Sequence, residues 1–81
     1  MNHKMPTLDR FGPYRVFFYM ADREEPPHVH VERDDCMAKI WLQDLGVAIN
    51  CGFPAHEIGT ILEKVESKRD EYTRAWKDTF G

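Results

Sequence analysis

The hydrophobic pattern of this chain changes period once, at Gly52-Phe53-Pro54, and that change limits what it can fold into. Upstream, apolar residues alternate with others, which is the signature of strands with two distinct faces. Downstream, Ala55, Ile58, Leu62, Val65, Tyr72 and Trp76 recur at threes and fours, with Ile61 widening the stripe. That spacing predicts one long amphipathic helix over residues 54–80. Pro54 suits its first position, where a missing N–H costs nothing, and Glu57 suits the first turn. A meander followed by a single helix predicts an α+β domain of two layers.

The strands are read from composition and turn chemistry. Tyr14–Met20 is rich in aromatic and β-branched residues and predicts the first. A charged loop, Asp22 to Pro27, leads into His28–Arg33, and Asp34-Asp35 supplies a polar turn into Cys36–Gln43. Asp44-Leu45-Gly46 is the next turn, and Val47–Cys51 predicts a short last strand with Val47 and Ile49 facing the core. The expected sheet is therefore antiparallel, three- to four-stranded, and spans residues 14–51. Residues 1–13 read as an arm anchored by Leu8 and Phe11. Within the helix stripe Arg69 breaks the apolar series, and its stem is expected to lie along the sheet edge with its head in water.

Eighty-one residues leave room for one core, and an apolar content of 42% with 12% aromatic residues argues for a folded domain rather than disorder. A net charge of −3, with both signs mixed, argues against a broad nucleic-acid binder, although a local RNA site stays open. No apolar run is long enough to span a membrane and no leader pattern opens the chain, so a soluble cytoplasmic protein is expected. Two cysteines without CxxC spacing, Cys36 and Cys51, fit reduced apolar fillers better than a disulfide framework.

Chemistry concentrates where Pro26-Pro27 runs into His28-Val29-His30-Val31. The prolines impose an extended approach. Strand alternation then places His28, His30 and Glu32 on one face, with Val29 and Val31 on the other. If the valines meet the helix, both imidazoles stand on the outer face with Met37, Lys39 and Trp41, and with one row of the first strand, such as Phe17 and Tyr19. An outer face with that many rings is expected to pack on itself under the N-terminal arm, to meet a protein partner or second copy, or to take a small molecule or stacked nucleotide. The candidate contact surface is Phe17, Tyr19, His28, His30, Met37 and Trp41.

Three uses of the surface remain open from the residues. It can bind a small protein partner or a second copy of the chain. It can act as a metal-independent ribonuclease, with His28 or His30 moving the proton, Lys39 or Arg33 neutralising phosphate, and Tyr19 or Trp41 stacking a base. It can hold zinc through His28 and His30, with supplements drawn from His3, His56, Asp22, Glu25, Glu32 or the cysteines. No spacing specifies that last ligand set, so the reading carries no cofactor. Glycine-rich phosphate loops, HExxH and nucleophile elbows do not occur.

Met5-Pro6-Thr7, Val16 through Asp22, and Pro26-Pro27-His28-Val29-His30-Val31 resemble the opening of the small bacterial proteins of the DUF4160 family. Ala38-Lys39-Ile40, Gly52-Phe53-Pro54, Glu71 and Trp76 are similar to its later part. The resemblance implies a gene beside another small one, in an arrangement like a toxin–antitoxin pair, and it brings no catalytic residues with it. Family members commonly carry His where this chain has Arg23, and often Trp and His where it has Lys64 and Lys68.

Overall fold

A computed structural model describes residues 7–81. Five antiparallel strands lie side by side in chain order: β1 (Asp9–Phe11), β2 (Tyr14–Phe17), β3 (His28–Arg33), β4 (Cys36–Trp41) and β5 (Val47–Cys51). A 3₁₀ turn over Met20–Glu24 joins β2 to β3, and two helices follow, α1 (Ala55–Ser67) and α2 (Arg69–Phe80). The α+β meander is as the sequence predicts, but the strand expected over Tyr14–Met20 ends at Phe17, with Met20 already in the 3₁₀ turn, and three further differences stand beside that.

First, part of the expected N-terminal arm is a strand. β1 pairs with β2, Asp9 opposite Val16 and Phe11 opposite Tyr14. Gly12 turns the chain with a φ of 53°, a conformation that glycine adopts without a Cβ penalty. Leu8 and Phe11 do pack against the core. Whether residues 1–6 cover anything lies outside the described residues.

Second, the helix is broken at Lys68, whose φ of −113° and ψ of 11° leave the helical region. Its N–H still bonds the carbonyls of Lys64 and Val65, at 3.1 and 3.2 Å. The apolar stripe nevertheless runs through both helices, with Ile61, Val65, Tyr72 and Trp76 buried and Ile58 and Leu62 partly so. Arg69 differs from expectation too. Its guanidinium is not left to water: Nε donates to the Leu42 carbonyl at 2.7 Å and an NH2 group to the Gln43 carbonyl at 2.6 Å.

Third, β5 does not present Val47 and Ile49 together. Ile40 pairs with Val47 but Lys39 pairs with Ile49, so Ala48 is an extra residue in a β-bulge. Paired residues of an antiparallel ladder share a face, so the bulge sends Val47 and Ile49 to opposite faces. Both are exposed, at 40% and 42%. Cys51 is likewise exposed rather than filling the core, whereas Cys36 is half-buried against it.

The core sits between the helices and the face built from Tyr14, Val16, Phe18, Val29, Val31, Ala38 and Ile40, closed by Leu42 and Phe53. One polar clamp fixes the start of α1. Arg33 grips Glu57 with both nitrogens, Nε to Oε1 at 2.9 Å and NH2 to Oε2 at 2.7 Å, while the Tyr14 hydroxyl donates to Oε1 at 2.6 Å. The guanidinium, then the tyrosine, hold the Glu57 carboxyl below its ordinary range. The same carboxylate pushes the Tyr14 phenol up.

Candidate functional site: a buried aspartate between two histidines

The alternation along β3 places the imidazoles where the sequence predicts. His28 pairs with Trp41, His30 with Phe17 and Lys39, and Glu32 with Arg15 and Met37. These residues therefore form the face turned away from the core. Of the alternatives left open for this face, packing on itself is the one found at the histidines: Phe17 and His28 are fully buried and His30 is 5% exposed. Tyr19, Met37 and Trp41 are half-buried.

The cover comes from the chain's own β2–β3 connection. Tyr19 begins the 3₁₀ turn, and its N–H donates to Asp22 Oδ2 at 2.8 Å, while the Asp22 N–H returns to the Tyr19 carbonyl at 3.0 Å. That reciprocal pair directs the Asp22 side chain inward, to 6% exposure. There the same Oδ2 lies 3.1 Å from Nε2 of His28 and 3.1 Å from Nε2 of His30. Rings close the remaining sides. His30 stacks on Phe17, with centroids 5.4 Å apart, and meets the edge of Tyr19 at 4.7 Å. His28 lies between Trp41 at 5.3 Å and Trp76 of α2 at 5.0 Å.

The two imidazoles are not equivalent. Nδ1 of His28 is 2.9 Å from the Pro26 carbonyl, and a carbonyl only accepts, so Nδ1 carries the hydrogen. In the neutral ring Nε2 is then a bare lone pair beside a carboxylate, and it makes no hydrogen bond. His30 donates from Nε2 to Asp22, and its Nδ1 is without a hydrogen-bond partner. Burial holds His30 below the ordinary histidine pKa, with Asp22 pulling the other way. Two buried ring nitrogens left unsatisfied in one cluster is an expensive arrangement, on the order of 1–3 kcal/mol each.

The other candidate residues fall elsewhere. Lys39 reaches the rim of the cluster, where its Nζ pairs with Glu25 and lies 4.6 Å from the Trp41 ring centroid. Arg33 sits on the opposite face of the sheet, held by Glu57, and so does not join the histidines. Among the expected metal supplements, Glu32 pairs with Arg15 and Glu25 with Lys39. Only Asp22 joins the imidazoles in a metal-ligand-like group among the described residues, and His3 lies outside them.

No helix among the described residues is long and apolar enough to cross a membrane. No curated protein and no solved structure matches the chain. A family model does, over residues 14–77, which takes in every strand but β1, the buried Asp-His-His cluster and most of both helices. The chain belongs to the family described as a domain of unknown function, DUF4160.

Proposed function

We propose that this protein is an interaction module, one component of a toxin–antitoxin-like pair, which receives a small protein partner in the cytoplasm along β5. The observation that carries the reading is the state of that strand. β5 ends the sheet, all five of its residues are exposed, and none is charged. An edge strand of this kind offers backbone donors and acceptors to another chain, and proteins usually blunt such edges with charge or proline. Here the one blunting device is the bulge at Ala48.

The apolar surface continues from β5 onto the sheet. Ile49 and Cys51 share the outer face with half-buried Met37 and Trp41, in the rows defined by strand pairing. A partner strand laid along β5 would extend the sheet and shelter Ile49 at once. The resemblance to genes arranged in pairs supports a heteromeric partner over a homodimer.

The test is co-expression with the product of the neighbouring gene, followed by size-exclusion chromatography with light scattering. The reading expects a stable complex that dissociates when Ile49→Lys places a charge on the exposed edge. A lone monomer in both conditions, or a complex indifferent to Ile49→Lys and to Val47→Asp, overturns it.

A further inference from the structure

We propose that Asp22, His28 and His30 form a binding site for one divalent transition-metal ion of the zinc class, through Asp22 Oδ2 and the two Nε2 atoms. The site goes beyond the interaction reading and does not depend on it.

Four observations converge. All three side chains are more than nine-tenths buried, and their ligand atoms cluster within 4.8 Å of one another. The spacing suits a common ion: with metal–ligand bonds of about 2.0–2.2 Å, tetrahedral geometry separates ligand atoms by about 3.3–3.6 Å. Oδ2 stands 3.1 Å from each Nε2, so both oxygen–nitrogen separations are within a few tenths of an ångström of that spacing, and no pair of ligand atoms is more than 4.8 Å apart. The His28 tautomer is already the ligating one, because Nδ1–H donates to the Pro26 carbonyl and leaves the Nε2 lone pair for a metal; His30, which donates Nε2–H to Asp22 in the metal-free protein, ligates once that hydrogen sits on its Nδ1 instead. Metal-binding histidines are typically oriented in this way by a carbonyl or carboxylate on the far nitrogen. Finally, Nε2 of His28 is fully buried at 3.1 Å from a carboxylate oxygen yet makes no hydrogen bond. A cation beside both atoms removes that conflict.

Two nitrogens and one carboxylate oxygen form a borderline donor set, suited to Zn²⁺, Co²⁺ or Fe²⁺ rather than to Mg²⁺ or Ca²⁺. The walls are Phe17, Tyr19, Trp41 and Trp76, so the ion is enclosed. Its role is to fasten the 3₁₀ turn onto the sheet.

Zn²⁺ and Co²⁺ are the probes. The protein is unfolded with chelator, freed of it, and refolded with or without each ion, so that entry is not limited by burial. Binding of one equivalent is expected, with a raised thermal midpoint and, for Co²⁺, visible ligand-field bands. The chain's two tryptophans both flank His28, and Co²⁺ should quench their emission. Asp22→Asn keeps an acceptor for the Tyr19 N–H, and it should weaken binding at least tenfold, as should His28→Gln. His3→Ala and His56→Ala should bind as the parent does. Should the variants fail to fold, the parent chain decides by itself. Absence of one-equivalent binding overturns the proposal, as does binding unchanged in Asp22→Asn and His28→Gln. Nitrogen-15 spectra of the metal-free protein that show His28 protonated on both nitrogens at neutral pH also overturn it, because a buried imidazolium would then satisfy Asp22.

Discussion

Asp22 is the residue on which the outer face turns, since one carboxylate oxygen meets the Tyr19 N–H and both imidazoles. Asp22→Ala should cost roughly 2–4 kcal/mol in urea unfolding with chelator present, because it strands buried donors rather than a surface pair. The alternation of His28 and His30 was legible, since strand geometry alone puts them on one face. Asp22 as their shared partner was not: it stood among seven candidate supplements, and only the reciprocal Tyr19–Asp22 hydrogen bonds turn it inward. Arg33 was misplaced for a simpler reason. As an odd-numbered residue of β3 it belongs with Val29 and Val31, and there it meets Glu57. Because the folded Glu57 carboxyl titrates below its ordinary, unfolded value, its stabilisation is complete above that ordinary value. It is lost as pH falls through the folded value. Thermal midpoints between pH 6 and 3 should therefore drop less steeply in Glu57→Gln than in the parent, from a lower starting point.

Among the elements, the helix pair shows where periodicity runs out as a guide. The apolar stripe resumes beyond Lys68 with Arg69 its one interruption, and neither proline nor glycine marks the break, so residues 54–80 read as one rod. What the break accomplishes is visible only in three dimensions. Past it, the Tyr72 hydroxyl reaches Asp9 at 2.7 Å, and Trp76 meets both Phe18 and His28. Arg69 secures the turn by donating to two carbonyls at the end of β4. Arg69→Ala should cost about 1.5–3 kcal/mol, the range for hydrogen bonds from a charged donor. Arg69→Lys should recover only part of it, because an ammonium does not reproduce the fork. Denaturant midpoints of the three proteins check the order.

For the molecule as a whole, both helices lie on one side of the sheet while a five-residue 3₁₀ turn covers part of the other. Burial differs sharply between residues of one type. Ile40 is fully buried, whereas the bulge leaves Ile49 at 42% exposure. Ile40→Ala should cost about 2–5 kcal/mol, a large share of the stability of a small domain, and Ile49→Ala about 0.5 kcal/mol or less. Urea unfolding of the two variants measures the contrast. The long-range tie between α2 and β1 bears on how the chain is made. Tyr72 and Asp9 are 63 residues apart, so during synthesis the first strand waits for the last helix before Asp9 Oδ2 meets the Tyr72 hydroxyl. A nascent chain halted after α1 would hold that margin by backbone pairing and the packing of Leu8 and Phe11, without the polar tie, leaving β1 the first piece open to proteolysis.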